Sequence, residues 1–142
     1  MTVVLDDHLL RDWMARRDGD LVDVIAGEDV ATTNLWYIRL CKSAARASGG
    51  ALLGGWPPDE RRMLVAGLVA LPPEIVVVPM RQIAWKMGKL VADHTGVSTL
   101  GAEAVAATIE LGGRLLVSSR DDGPGIRRCC QSLEVVYEAL PR

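Results

Sequence analysis

The chain has 142 residues, of which 49% are hydrophobic and 24% are charged, and its formal net charge at pH 7 is −2. This length allows one domain with a sizeable core, so we expect residues 1–142 to form a single domain. The small negative charge excludes a protein that binds nucleic acid through an overall positive field, and any such site must be local. The cysteines show no Cys-x-x-Cys spacing, so we predict neither a disulfide framework nor a zinc site.

The sequence contains no pattern typical of secretion or of membrane insertion. Its first residues are acidic rather than basic, and the longest apolar stretch, residues 63–71, is too short to cross a bilayer. The odd number of cysteines fits a reducing compartment. We therefore expect a cytoplasmic protein that does not use a membrane as a partner.

The first predicted strand covers residues 3–5, an apolar run with no polar alternation. Such a run is typical of a strand that is covered on both faces in a parallel sheet. Asp6 and Asp7 follow it directly, at the strand end where ligands collect in open α/β sheets. We predict that Asp7 is the N-cap of the first helix and that Asp6 is a buried carboxylate, which needs a partner such as a cation.

The region after Asp7 predicts an amphipathic helix over residues 9–14, and residues 30–33 predict a short second strand. Thr33 or Asn34 is expected to cap the helix that follows. The positions of that helix that are predicted to face the core are Leu35, Ile38, Cys41 and Ala45. The basic residues on its other side are Arg39, Lys42 and Arg46. This basic stripe is either an ordinary solvated face or a local contact for nucleic acid.

The middle of the chain is predicted to hold two helices separated by a buried strand. Trp56 lies in a loop rich in glycine and proline, and we expect it to be the most exposed tryptophan, either stacking on a base or packing over the loop. Asp59 is expected to cap a helix that reaches about residue 71. Residues 75–78 predict the strand, and residues 80–91 predict an amphipathic helix whose Met, Trp and Leu positions belong to the core.

The last third of the chain predicts an alanine-rich helix over residues 100–111, capped by Ser98 or Thr99, and a strand over residues 114–118. A polar, glycine-rich loop follows. The remaining predicted elements are a helix over residues 126–133 and a strand over residues 134–137. Because strands and helices alternate, we expect an α/β fold with a mainly parallel sheet of about four to five strands, covered by helices on both faces.

Two acidic pairs follow predicted strands. Asp6 and Asp7 come after the first strand, and Asp121 and Asp122 come after the last strand but one. Because the carboxyl ends of parallel strands meet at one edge of a sheet, we expect these carboxylates to converge. Their oxygens suit Mg²⁺ or Mn²⁺, and such an ion activates water for attack on a phosphodiester. Glu103 is either a third member of this group or a first-turn glutamate favoured by the helix dipole.

Three stretches also carry a family resemblance. They are Val-Val-Leu-Asp at residues 3–6, the alanine-rich residues 102–112 and the strand at residues 114–118. With the order of elements, they resemble the PIN domain over the whole chain, in particular the short single-domain form of VapC-type toxins. The resemblance implies a PIN-like three-layer α/β/α sandwich and a Mg²⁺- or Mn²⁺-dependent endoribonuclease. It also implies RNA as the substrate, a cognate antitoxin protein as a partner and frequent formation of a homodimer.

In a first interpretation, the chain is an active ribonuclease of this toxin–antitoxin type. The resemblance then implies that Asp6, Glu103 and Asp121 are the catalytic residues. The metal ligands that it implies are Asp6, Asp121 and Asp122. In this interpretation the basic stripe contacts the RNA.

The sequence departs from the PIN pattern at acidic positions of the family. Arg39 stands where a Glu is expected, and Gly101 stands where an Asp is expected, with Glu103 following two residues later. Asp121 is displaced from the strand end. A second interpretation is therefore a catalytically degenerate PIN-like module, which binds RNA through the basic stripe or binds a protein. Here Arg39 replaces the cation by pairing with Asp6, and no divalent metal is bound. A third is a homodimer that pairs apolar helix faces and performs no chemistry.

Overall fold

The structure is a computed structural model and describes residues 1–142. Strands and helices alternate along most of the chain. The strands are β1 (Thr2–Leu5), β2 (Asp29–Thr32), β3 (Val76–Val77), β4 (Arg114–Ser118) and β5 (Tyr137–Leu140). The helices are α1 (Asp7–Met14), α2 (Gly19–Val24), α3 (Asn34–Ala45), α4 (Gly50–Leu53), α5 (Pro58–Val69), α6 (Met80–Asp93), α7 (Thr99–Leu111) and α8 (Pro124–Ser132).

The strands form one sheet in the order β3-β2-β1-β4-β5, and every pair in it is parallel. β1 lies at the centre, where Val4 pairs with Ala31 of β2 on one side and with Leu115 of β4 on the other. The predicted α/β class, the parallel sheet and the three-layer α/β/α arrangement are therefore confirmed.

Each face of the sheet has its own hydrophobic core. Val4 belongs to the core beneath α6, α7 and α8, whereas Val3 and Leu5 belong to the core beneath α1, α3 and α5. Because neighbouring strand residues point to opposite faces, a central strand between two cores needs an uninterrupted apolar run. All three side chains are fully buried, as the run predicts.

The caps predicted for α3 and α7 are confirmed, and the cap predicted for α5 is wrong. The Thr33 hydroxyl accepts a hydrogen bond from a first-turn backbone N–H of α3 at 3.1 Å, and the Ser98 hydroxyl does the same for α7 at 3.0 Å. Asp59 does not cap α5, which begins one residue earlier, at Pro58. Proline suits a first helical position because its φ is already helical, and Asp59 therefore lies within the first turn.

The buried side of α3 differs from the predicted one. Trp36 and Leu40 are fully buried, whereas Ile38, which was expected in the core, is 52% exposed. Residues 36 and 40 are four positions apart and therefore lie on the same side of the helix. Residue 38 is rotated about the helix axis by about 200° from each of them. The large tryptophan gains more from burial than the isoleucine, so it sets the orientation of the helix.

The tryptophans also differ from expectation. Trp85, predicted as a core residue of α6, is 84% exposed. The buried stripe of α6 runs through Ile83 and Met87, and residue 85 falls on the opposite side. Trp56 is only partly exposed, because the guanidinium groups of Arg11 and Arg17 lie 5.3 and 4.0 Å from its ring centroid. These contacts are cation–π interactions that cover the ring.

Two strands are shorter or later than predicted. Of residues 75–78, only Val76–Val77 form a strand, at the edge of the sheet, and Val76 is 36% exposed. The last strand, β5, begins at Tyr137 and not at Glu134. Glu134 has a φ of +56°, and the backbone N–H of Val135 donates to the carbonyl of Cys130 in α8 at 2.8 Å. Residues 134 and 135 therefore belong to the turn that follows that helix.

Candidate metal centre

A buried group of polar side chains lies where β1 and β4 end. Asp6 follows β1 directly, Asp7 and His8 begin α1, and Asp121 comes shortly after β4. One ligand atom from each of these four residues lies within 4.8 Å of the others. We call these four residues the Asp–His cluster. Asp6 and Asp121 thus meet at one edge of the sheet, although 115 positions separate them in the chain.

Asp6 is fully buried and is held by backbone groups of two elements. Its Oδ1 accepts a hydrogen bond from the backbone N–H of Leu9 at 2.9 Å, so Asp6 is the N-cap of α1. Its Oδ2 accepts from the backbone N–H and the hydroxyl of Ser118 at 2.8 and 2.5 Å. The prediction that Asp7 caps α1 is wrong, because the helix begins at Asp7 and the cap is the residue before it.

Asp7 is also fully buried and faces two basic side chains. Its Oδ1 accepts from the backbone N–H of His8 and contacts His8 Nδ1, each at 2.9 Å. Its Oδ2 lies 3.1 Å from Arg39 Nε, an ion pair that lacks the geometry of a hydrogen bond. Arg39 Nη1 donates to Asp121 Oδ1 at 3.0 Å. Arg39 of α3 therefore bridges Asp7 and Asp121, and it does not pair with Asp6 as the second interpretation expects.

A tight turn brings Asp121 into the cluster. The backbone N–H groups of Asp121 and Asp122 both lie 3.1 Å from the carbonyl oxygen of Ser118 and donate to it. The chain therefore folds back immediately after β4, which offsets the displacement of the acidic residues from the strand end. The Asp121 side chain is 8% exposed.

The hydrogen bonds leave carboxylate oxygens of the cluster open. Asp7 Oδ2 and Asp121 Oδ2 are buried and have no hydrogen-bond partner. Such oxygens are uncommon in folded proteins because an unsatisfied buried acceptor destabilises the native state. Hard divalent cations prefer carboxylate oxygens, and the cluster is small enough to surround one ion. The residues present therefore fit a divalent cation.

Burial and a hydrogen bond with Asp121 make Asp6 the carboxyl that holds a proton most readily. Removal from water raises the pKa of Asp6 from 3.8 to about 7, and the proximity of Asp121 adds to this rise against the hydrogen bonds from Ser118 and Leu9. Burial also raises the pKa of Asp7. The hydrogen bond with His8 and the positive charge of Arg39 lower it by more, so the pKa of Asp7 lies below its usual value. Near neutral pH, Asp6 therefore exchanges a proton while Asp7 stays ionised.

The structure does not bring Glu103 into the cluster. Glu103 is fully buried in α7, and its Oε2 accepts from the backbone N–H and the side-chain amide of Asn34 at 2.9 and 2.7 Å. Its Oε1 accepts from the backbone N–H of Leu35 at 2.9 Å. The carboxylate thus satisfies the first N–H groups of α3, where the helix dipole favours a negative charge.

Asp122 also lies outside the cluster. Its Oδ1 accepts from the Tyr137 hydroxyl at 2.5 Å, and its Oδ2 accepts from Arg127 at 2.6 Å. The bond from Tyr137 is the main cause that holds the pKa of Asp122 below its usual value, and Arg127 adds to it. Of the two neighbouring acids, only Asp121 therefore points toward Asp6.

Two depressions flank the Asp–His cluster. One, of about 220 Å³, is lined by His8 and by the basic stripe, and we call it the basic cleft. The residues of the stripe that line it are Arg39, Lys42 and Arg46. The other depression, of about 230 Å³, is lined by Asp121, Gly101 and the loop before α8. Of the residues predicted to bind RNA, Arg39 thus contacts one predicted metal ligand, Asp121, and shares the basic cleft with Lys42 and Arg46.

His8 is the member of the cluster that sequence reasoning missed. The spacing of the two histidines did not indicate a ligand, since Asp12, four residues after His8, is no more than chance places at a helical interval. Its place directly after Asp6 and Asp7 was the only available signal. The structure shows that the first turn of α1 carries it to the same rim of the sheet.

No protein-family model matches this chain, and no curated protein matches it either. The longest helices fall short of the length and apolar content that crossing a bilayer requires.

Proposed function

We propose that this chain is a PIN-like, divalent-cation-dependent endoribonuclease that hydrolyses RNA phosphodiester bonds at the Asp–His cluster. The observation that carries the proposal is a pair of buried carboxylate oxygens beside Asp6, Asp7 Oδ2 and Asp121 Oδ2, neither of which accepts a hydrogen bond. Buried oxygens of this kind at the carboxyl edge of a parallel sheet are what a cation site requires.

In this proposal Asp6, Asp7 and Asp121 hold Mg²⁺ or Mn²⁺. A bound cation of this kind lowers the pKa of a coordinated water and neutralises charge on the phosphate. Ser118 and Leu9 fix the orientation of the Asp6 carboxylate through three hydrogen bonds, so that it is positioned before the cation arrives. The resemblance implied Asp6, Asp121 and Asp122 as ligands. Asp7 takes the place of Asp122, because the Asp122 carboxylate accepts hydrogen bonds from Tyr137 and Arg127.

The basic cleft supports a phosphate polymer as the substrate. Lys42 and Arg46 are exposed and carry no ion pair with an acidic side chain, while Arg39 lies between the cleft and the carboxylates. Basic side chains at this place can hold a phosphate next to the cluster, although the protein as a whole carries no net positive charge. RNA, an antitoxin partner and a homodimer follow from the resemblance to the PIN domain and are proposed on that basis. A cytoplasmic setting is proposed from the odd number of cysteines, which fits a reducing compartment.

The test is cleavage of a labelled single-stranded RNA by the purified chain with Mg²⁺, with Mn²⁺ or with a chelator. We expect cleavage with either ion and none with the chelator. Asp6→Asn and Asp121→Asn should lower the rate by about a hundredfold or more, since each removes a charged ligand. Asp122→Asn is the matched control and should stay within about threefold of the unmodified chain, because its side chain lies outside the cluster. Cleavage that survives Asp6→Asn would contradict the proposal.

A second function is favoured by one specific contact, the bridge that Arg39 forms between Asp7 and Asp121. A guanidinium held in this place balances part of the negative charge, as a cation would. The chain would then be a degenerate PIN-like module that binds RNA or a protein without cutting. This function predicts no cleavage with either ion, and RNA binding that weakens in Arg39→Glu, in Lys42→Glu and with added salt.

A further inference from the structure

We infer that the cation site has a mixed set of ligands, in which a ring nitrogen of His8 joins the carboxylates of Asp6, Asp7 and Asp121. The site then selects first-row transition ions such as Mn²⁺, Co²⁺ and Zn²⁺ over Mg²⁺. The inference rests on the proposed function in that it concerns the same site, but it makes a separate claim about the ion.

The distances within the cluster match the size of a coordination shell. Ligands at about 2.1 Å from an octahedral ion lie about 3 Å apart when adjacent and about 4.2 Å apart when opposite. His8 Nδ1 lies 2.9 Å from Asp7 Oδ1, and ligand atoms from all four residues lie within 4.8 Å of one another. Since the ionised Asp7 carboxylate accepts a hydrogen bond from His8 Nδ1, ligation by this nitrogen releases its proton to solvent as the ion binds. Small side-chain movements are then enough for the four residues to share one ion.

An observation independent of His8 also points to a cation site. Asp7 is fully buried, yet its Oδ2 has no hydrogen-bond donor, and the same holds for Oδ2 of Asp121, whose side chain is 8% exposed. Neither oxygen accepts a hydrogen bond, and although Arg39 Nε lies 3.1 Å from Asp7 Oδ2, each oxygen keeps a lone pair free for a ligand within the cluster. Asp6 Oδ1, which accepts only from Leu9, has a free lone pair as well.

The charges favour a neutral nitrogen as the additional ligand. When all three carboxylates are ionised, Arg39 cancels one negative charge and leaves two, which a single divalent cation balances. A further carboxylate would leave an excess negative charge in a buried site, at a considerable cost. Neutral imidazole adds a ligand and no charge. His8 is also partly covered, with its side chain 15% exposed.

The identity of the ligands predicts which ions bind. Imidazole nitrogen suits transition ions, whereas Mg²⁺ prefers oxygen ligands and keeps most of its waters. Affinities of sites with nitrogen and oxygen ligands rise from Mn²⁺ to Co²⁺. A site made of three carboxylates and His8 should therefore bind Co²⁺ and Zn²⁺ more tightly than Mn²⁺, and Mn²⁺ at least about tenfold more tightly than Mg²⁺.

The test uses the full chain after removal of metals and titrates it by calorimetry with MnCl₂, CoCl₂, ZnCl₂ and MgCl₂. His8→Gln should weaken Co²⁺ binding by about tenfold or more and leave Mg²⁺ binding within about threefold. The matched control is His94→Gln, since His94 is the only other histidine and lies at the end of α6. His94→Gln should bind every ion as the unmodified chain does.

A spectroscopic measurement tests the ligand without relying on a variant. Pulsed electron paramagnetic resonance of the Mn²⁺-loaded unmodified chain should show coupling to a directly bound nitrogen, and His8→Gln should lose it. Equal affinity for Mg²⁺ and Mn²⁺ with no nitrogen coupling would overturn this inference and leave the proposed cation-dependent function intact. Failure of all four ions to bind would overturn both.

Discussion

At the scale of single residues, Asp6 connects three elements of the fold. It follows β1, caps α1 through Leu9, and accepts hydrogen bonds from Ser118 at the end of β4. These bonds place a carboxylate at the centre of the sheet edge without leaving it unsatisfied. The same burial raises its pKa, so the stability of the fold is coupled to the protonation of this one side chain.

The first prediction concerns the dependence of stability on pH in the presence of a chelator. The folded state raises the pKa of Asp6 from 3.8 to about 7, so it binds the proton more tightly than the unfolded chain does. The resulting stabilisation is fully present below the unfolded pKa and is lost as the pH rises through the folded pKa. Relative to Asp6→Asn, the unmodified chain should therefore lose stability between pH 4 and pH 7, by at most about 1.4 kcal/mol per pH unit.

Urea denaturation at several pH values between 5 and 8 measures this effect. Asp122→Asn is the control, because the pKa of Asp122 is lowered and its titration falls below this range. Parallel stability curves for Asp6→Asn and the unmodified chain would show that Asp6 is not the group with the raised pKa.

The second prediction concerns Glu103. Glu103→Ala should lower the free energy of unfolding by about 2–4 kcal/mol, because it removes a charged acceptor and leaves buried N–H groups of Asn34 and Leu35 without a partner. Glu110→Ala on the same helix is the control and should cost less than about 0.5 kcal/mol, since Glu110 is exposed. Cation affinity of Glu103→Ala should stay unchanged where the variant is folded. Lost affinity without lost stability would instead place Glu103 at the metal.

The sequence predicted only those site residues that closely follow a strand, because ligands in a parallel sheet lie beyond the carboxyl ends of its strands. Asp6 and Asp121 were found because each follows a strand of a parallel sheet. The choice between Asp121 and Asp122 was not predictable, since it depends on a turn and on Tyr137, which lies in a later strand. The pairing of Arg39 with Asp7 and Asp121 depends on how α3 is rotated, and this is a property of the packing.

At the scale of elements, the orientation of α3 determines what reaches the site. Trp36 is buried in the core beneath α6, α7 and α8, and Leu40 is buried in the core beneath α1, α3 and α5. This rotation of the helix directs Arg39 toward Asp7 and Asp121. The cap by Thr33 and the carboxylate of Glu103 fix the start of the helix. The packing of this one helix therefore sets the position of the charged group that bridges two carboxylates of the cluster.

The third prediction tests that orientation. Leu40→Ala should lower the free energy of unfolding by about 2–5 kcal/mol, because it leaves a cavity in a core without polar groups. Ile38→Ala lies two residues away on the same helix and should cost less than about 0.5 kcal/mol, because that side chain is 52% exposed. Urea denaturation of both variants measures the difference. A larger cost for Ile38→Ala than for Leu40→Ala would mean that the buried face is the one predicted from the sequence.

The elements that were predicted well are those whose ends carry a local signal. β4 and α7 end where glycines and serines interrupt the apolar pattern, and the structure agrees with those bounds. β5 was placed too early, because its apolar residues continue those of the helix end without a break. The edge strand β3 was predicted as longer and more buried, since a run of valines does not reveal whether both neighbours of a strand are present.

At the scale of the whole molecule, the strand order explains why distant residues form one site. β1 and β4 are neighbours at the centre of the sheet, and both run in the same direction. The residues after them therefore emerge at the same rim, while α1 and α3 cover one face of that rim. A parallel sheet with this order brings the carboxylates together regardless of their separation in sequence.

The last prediction follows from the contrast between the net charge of −2 and the local basic cleft. Only Lys42 and Arg46 are free to neutralise phosphates, because Arg39 is held by Asp7 and Asp121. RNA binding measured with a chelator should therefore weaken with salt at a slope of about −1.4 in a plot of log K against log salt, which corresponds to about two phosphates of a single strand. Each of Lys42→Gln and Arg46→Gln should reduce the slope by about 0.7.

Fluorescence anisotropy of a labelled RNA over a series of salt concentrations measures these slopes. Lys86→Gln is the matched control, because Lys86 is an exposed lysine of α6 that does not line the basic cleft. A slope that is the same in all three variants would place the RNA on another surface. A much steeper slope would require more phosphate contacts than this cleft offers, since counterion release scales with the number of neutralised phosphates.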